Sequence, residues 1–193
     1  NKSIFTFFMS ALSAYIFRVT GKRDIVVGAP VVNRTTQDSK TSIGMYVSTV
    51  PIRIQVDDEL SFTEFAQLVS DEWFSVLKHQ KYPYDMLIKD VRSKNKDIDS
   101  LYDITLSYQN GKFQKNTEFF TYEGRWHFPG YQAASLCIHI NDREDTGKFV
   151  MDYDHQVPLF FVKEMDYIHA HMMNIIQDAI ASPCKKLFEL DVL

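Results

Sequence analysis

Apolar positions recur at helical spacing in some segments and alternate with polar ones in others, which predicts helices interleaved with strands. Ile4 to Thr20 is an apolar helical stretch, and Gly21 stands where a left-handed cap residue ends it. Asp24 to Val32 is a short β-rich run around Ile25-Val26-Val27, closed by Gly28 and Pro30. Asn33 to Ser42 is polar and aperiodic, and is expected to be a loop. Tyr46 to Val56 reads as a strand in which Ser48, Val50, Ile52, Ile54 and Val56 share one parity. Pro51 cannot donate to a ladder, so this strand is expected at a sheet edge or with a bulge.

Ser61 and Glu64 have capping-box spacing, and Phe62, Phe65, Val69, Trp73, Val76 and Leu77 follow at helical intervals. Pro83 suits the first turn of a shorter helix presenting Leu87, Ile88 and Val91, and Arg92 to Ser100 reads as a charged linker. Tyr102 to Asn110 alternates, with Ile104, Leu106 and Tyr108 on one face and Thr105, Ser107 and Gln109 on the other. Further strands are expected at Phe119–Tyr122, Ala134–Ile140 and Lys148–His155, the last two joined by a turn at Asp145-Thr-Gly147. A final helix carries Phe161, Met165, Ile168, Met172, Ile175 and Ala179 and ends at Pro183. Helices interleaved with pairs of strands predict an α/β sandwich of two layers, with helices packed on a mixed sheet.

A length of 193 residues with 45% hydrophobic content allows one buried core, so residues 1–193 are expected to form a single domain. A net charge of −4 leaves no electrostatic footprint for nucleic acid or an anionic membrane. The first apolar stretch is too short and too interrupted by Ser and Thr to span a bilayer. Cys137 and Cys184 form neither a disulfide framework nor a metal-type spacing, which predicts reduced thiols and a cytoplasmic protein. The chain starts at Asn1, almost directly in its first helix, as a piece of a longer polypeptide would.

Catalytic motifs are scarce. His169 and His171, two apart on a helix, point roughly 200° from each other and cannot share an ion. No metal site is expected. No Gly-x-Ser-x-Gly elbow and no phosphate-binding Gly-rich loop occurs. Arg34 is either solvated or an anchor for an acidic partner. The Ser48 hydroxyl is either core-facing, in need of a partner, or turned outward by a bulge at Pro51. The polar face of Thr105, Ser107 and Gln109 meets water or lines a wet channel.

Three segments in fixed order carry a resemblance: Gly28-Ala-Pro-Val-Val-Asn-Arg34, Ile43-Gly-Met-Tyr-Val-Ser-Thr49 and His79-Gln-Lys-Tyr-Pro-Tyr-Asp85. With Ser107-Tyr-Gln-Asn110 they resemble the C-terminal half of a nonribosomal peptide synthetase condensation domain, of the chloramphenicol-acetyltransferase-like superfamily. The resemblance implies a fragment that lacks the His-His-x-x-x-Asp-Gly motif of the other half, so none of its residues is expected to be catalytic. It further implies a parent that forms an amide between a thioester donor and an amine acceptor. Both ride on phosphopantetheine arms of carrier domains, and no cofactor is bound by the condensation domain itself. Expected partners are the N-terminal half and the peptidyl carrier and adenylation domains, with no nucleic acid or membrane. Arg34, Tyr46, Ser48, Ser107 and Gln109 are the implied tunnel-facing residues. Ser48 in place of the family's usual Asn and Lys81 in place of Asp leave room for an epimerisation or heterocyclisation relative, or for a non-catalytic module of the same fold.

Overall fold

The computed structural model describes residues 3–111, 127–128, 130–143 and 147–193. Helix α1 spans Ile4–Thr20; the Ser3 hydroxyl accepts the Thr6 amide at 3.1 Å, and Gly21, at φ 71°, donates its own amide to the Phe17 carbonyl. Its buried Ser10 and Ser13 satisfy their hydroxyls inside the helix, donating to the carbonyls of Thr6 and Met9 at 2.7 and 2.8 Å. That local bonding lets α1 be buried on nearly every side without orphaned polar groups.

The strands are β1 (Asp24–Val31), β2 (Ser48–Gln55), β3 (Ile104–Gln109), β4 (Leu136–Asn141) and β5 (Val150–His155). They form one sheet in the order β2-β1-β3-β4-β5. β1, β3 and β4 are mutually parallel, and β2 and β5 run antiparallel at the two edges. The larger helices α3 (Phe62–Lys78) and α5 (Val162–Ala181) pack on either side of α1, which itself lies against β1 and β3. The core fills the space between this helical layer and one sheet face, with Val27, Ile52, Ile54, Leu106, Ile138 and Ile140 fully buried from the sheet side. This is the two-layer α/β sandwich on a mixed sheet that the pattern predicts.

Most elements lie where expected. The capping box at α3 is formed, with Ser61 Oγ accepting the Glu64 amide and Glu64 Oε2 accepting the Ser61 amide at 2.9 Å. β4 and β5 pair as a hairpin, from Leu136 opposite His155 to Asn141 opposite Val150. Of the turn expected there, Asp145 and Thr146 lie outside the described residues, as does the strand expected at Phe119–Tyr122.

Four expectations change. The supposed loop after Asn33 contains a five-residue helix, α2 (Gln37–Thr41), held by a Thr36–Ser39 capping box. It buries no residue, so no hydrophobic period could announce it. The second strand begins at Ser48, not Tyr46. Pro83 is the N-cap of α4 (Tyr84–Lys94) and not part of its first turn, and that helix runs into the supposed linker. At Pro51 the edge placement holds, but there is no bulge: pairing runs unbroken from Asp24 with Gln55 to Val31 with Ser48.

Gly28 sits where two elements close on the sheet. A Cβ there would lie 2.7 Å from the Tyr102 ring and 2.9 Å from Thr105 Cγ2. Gly28→Ala is expected to cost roughly 1–3 kcal/mol in urea unfolding. Part of that loss should return in the Gly28→Ala/Tyr102→Ala double variant, because removing the ring removes the nearer clash.

Candidate functional site

Because β1 and β3 are parallel and β2 is antiparallel to β1, the end of β1, the end of β3 and the start of β2 lie at one end of the sheet. Arg34, Tyr46, Ser48, Ser107 and Gln109 are therefore at or near a common edge of the fold. They do not form a single group.

Arg34 and Tyr46 belong together. The guanidinium lies over the Tyr46 ring at 4.2 Å from its centroid and donates to the backbone carbonyls of Ser39, Ser42 and Gly44, the last two at 2.7 and 2.9 Å. Arg34 is thus neither solvated nor reaching for an acid: it ties the segment around α2 back onto the end of β1. A lysine cannot reproduce three forked contacts. Arg34→Lys should speed tryptic or chymotryptic cleavage between residues 36 and 46 several-fold, with a stability loss of about 1 kcal/mol.

Beside this staple stand Val32, Ile43, Met45 and Val47, all exposed, with Ile43 and Met45 at 104% and 94% of full accessibility. Together they make an exposed apolar rim at the end of the sheet. Sequence reasoning missed it, since it treated these residues as motif and strand; the signal was apolar side chains without a periodic partner.

Ser48 pairs with Val31 and shares its parity with Val50, Ile52 and Ile54, so it lies on the helix-covered side of the sheet. Of the two possibilities open for it, the outward turn at a bulge is excluded. Ser107 and Gln109 occupy the opposite face, where Gln109 Nε2 donates to Ser107 Oγ at 3.5 Å.

That polar face extends across three strands. Register sets Ser107 beside His139 and His139 beside Asp152, with Thr105, Cys137 and Asp154 in the adjacent row. His139 Nε2 is 3.3 Å from Asp154 Oδ2, the two side chains only 16% and 14% exposed. Asn141 Nδ2 donates to Asp152 Oδ2 at 3.4 Å. Burial pushes the His139 imidazole below its ordinary pKa, and the Arg143 cation adds to that; the fields of Asp154 and Asp152 oppose it. Sequence analysis assigns His139 no role. The signal was its place in a hairpin whose other strand carries Asp152 and Asp154 at two-residue spacing.

His169 and His171 do not converge. His169 Nδ1 lies 3.0 Å from the Tyr153 hydroxyl, while the His171 ring stacks on Tyr167. Burial raises the Tyr153 pKa well above that of a free phenol. Among the described residues no three His, Cys, Asp or Glu side chains gather as metal ligands, and no helix is long and apolar enough to cross a membrane.

Solved structures share this open mixed sheet with its helical layer. The first condensation domain of the CDA synthetase superposes with a TM-score of 0.76 at 18% identity, covering 97% of this chain and 42% of that one. The four-domain nonribosomal peptide synthetase holo-AB3403 gives 0.83 at 19% identity, over 99% of this chain and 16% of that one.

The chain belongs to the condensation-domain family, whose model matches residues 1–193. It is 35% identical over 191 residues to surfactin synthase subunit 1 of Bacillus subtilis (strain 168), covering 99% of this chain and 5% of that protein. It is 25% identical over 199 residues to tyrocidine synthase 3 of Brevibacillus parabrevis, covering 97% of this chain and 3% of that protein. The chain thus spans a small part of the curated relatives it matches.

Proposed function

We propose that this chain is the C-terminal half of a condensation domain in a nonribosomal peptide synthetase, and that it forms one wall of the channel in which the amide is made. The observation that carries this reading is the asymmetry of the sheet. One face packs against helices, while the other carries polar side chains, Ser107, His139 and Asp154 among them, that are themselves mostly buried, and an exposed apolar rim stands at its end. A finished surface would not expose Val32, Ile43, Met45 and Val47 together. Coverage of 42% of a condensation-domain chain fits a half.

In this reading the acceptor amine and the donor thioester arrive on phosphopantetheine arms of two carrier domains, with adenylation domains elsewhere in the same polypeptide. The amine nitrogen attacks the thioester carbon. A C–N bond forms, the C–S bond breaks, and the proton lost from nitrogen ends on the departing thiol. This chain's part is to hold the two arms in line and exclude bulk water, through packing and hydrogen bonds from the polar face. Arg34 and Tyr46 act indirectly, by shaping the rim that meets the N-terminal half. Cys137, which is buried, and Cys184, which is exposed, are both free, in keeping with a reducing cytoplasm.

The test is a single-turnover reaction with the full-length parent, its two carriers loaded with a donor thioester and an aminoacyl acceptor. Amide-linked product on the acceptor carrier is expected. Two intact thioesters, or donor hydrolysis alone, would contradict the reading and leave a non-catalytic module of this fold.

A further inference from the structure

We propose that the cavity between the first turn of α1, Trp73 of α3 and the ends of β1 and β3 receives the neutral side chain of an aminoacyl thioester. It would thereby set which amino acid this enzyme joins. The inference rests on the proposed function and names the part of the substrate that this half reads.

Four elements converge on the cavity, whose volume is about 460 Å3. Ile4 and Phe5 come from the start of α1, Trp73 from α3 and Pro30 from the end of β1; Tyr108 lies near the end of β3, and Asn110 directly follows that strand. The Phe5 and Trp73 rings lie 4.6 Å apart between centroids, and both, like Tyr108, are half-buried. All three rings pack against the core and also line the cavity. Apolar walls with a few polar groups on a concave surface are the usual form of a small-molecule pocket.

The chemistry of the walls narrows the occupant. Among the described residues no charged side chain lines the cavity. A charged group entering it would lose hydration and meet no counter-charge. A neutral, apolar one would instead exchange water for the rings of Phe5, Trp73 and Tyr108. The polar groups of Trp73 and Asn110 are uncharged as well. An indole N–H donates, and a carboxamide both donates and accepts, which suits the carbonyl and the nitrogen of an aminoacyl group.

Position ties the cavity to the reaction. Tyr108 alternates along β3 with Ser107 and Gln109, and Asn110 directly follows Gln109, so the cavity lies at the end of the strand assigned to the channel wall. Neighbouring residues of a strand are about 3.4 Å apart along its axis, a distance that one amino-acid side chain spans. Pro30, on its other side, is two residues from Val32 of the exposed rim. Donor and acceptor thioesters present the same side-chain chemistry to such a cavity, and only their loading separates them.

The test uses the full-length parent in single turnover. Alanine, leucine, phenylalanine and aspartate are loaded in turn on the acceptor carrier against a fixed donor, then on the donor carrier against a fixed acceptor. On one of the two carriers, leucine or phenylalanine is expected to react at least about 10-fold faster than alanine and aspartate. The carrier that shows the preference identifies the substrate that is read. Ile4 is 42% exposed on the first turn of α1, so Ile4→Tyr adds bulk to the cavity wall without entering the core. It should bring the ratio of large to small side chains down to about one, whereas a general disturbance of the fold would lower all rates and keep the ratio. Should Ile4→Tyr fail to fold, Asn110→Phe narrows the cavity from the β3 side.

A second readout needs no turnover. Trp126→Phe leaves Trp73 as the only tryptophan of this chain. In that background N-acetylleucinamide should change the Trp73 fluorescence saturably, N-acetylalaninamide at the same concentrations should not, and Ile4→Tyr should remove the response. Equal rates for the four amino acids on both carriers would overturn the proposal, as would a preference that survives both variants. A parent that makes no amide at all would overturn the functional reading; a saturable Trp73 response would then keep the cavity as a binding site, and its absence would overturn that too.

Discussion

Phe65→Ala is expected to lower the stability of this chain by about 3–5 kcal/mol, the largest loss from any single truncation considered for it. Phe65 is fully buried at the middle of the apolar stripe of α3, which also buries Phe62, Ala66 and Val69. That stripe meets α1 and β2 together, so the lost ring leaves a cavity at a three-way junction that a fixed sheet cannot close. Domains have only about 5–15 kcal/mol in total, so the variant should be marginal at 37 °C. Phe74, on the same helix but exposed, supplies the contrast: Phe74→Ala should change stability by less than about 0.5 kcal/mol. Urea midpoints with an unchanged slope would measure both.

The second large effect concerns the rim. Ile43→Asp combined with Met45→Asp should leave the melting temperature of this chain unchanged, because neither side chain touches the core. In the full-length parent the same pair should reduce single-turnover amide formation on the order of 100-fold or more. Each apolar side chain forgoes roughly 1.5–3 kcal/mol of burial, and each carboxylate adds a desolvation cost. Every 1.4 kcal/mol lost from docking of the halves is a factor of about ten in their association. Unchanged amide formation would mean that the rim faces solvent in the parent.

Legibility in the sequence followed how local the determinants are. α1 could be read through to its Gly21 cap, and α3 from its Ser61–Glu64 box, because both signals lie within a few residues. The alternation of β3 correctly separated Leu106 from Ser107 and Gln109. By contrast, α2 rests only on a Thr36–Ser39 box and buries nothing. Arg34 could not be read at all, since its partners are backbone carbonyls whose placement depends on the path of the whole segment. Ser48 was decided by strand register, which shows unbroken pairing past Pro51 where a bulge was possible. His139 waited on register as well: Asp152 and Asp154 become its neighbours only once the hairpin is aligned.

If the rim looks onto a second half of the same enzyme, it must be shielded in the parent and open in this chain. Thiol labelling reads that difference. Met45→Cys, in a Cys184→Ser background that removes the exposed native thiol, presents a reporter at a site 94% accessible in this chain. Maleimide modification should be fast in the isolated chain and at least about 10-fold slower in the full-length parent, a ratio that corresponds to roughly 1.4 kcal/mol of protection. Equal rates in the two would contradict a buried rim.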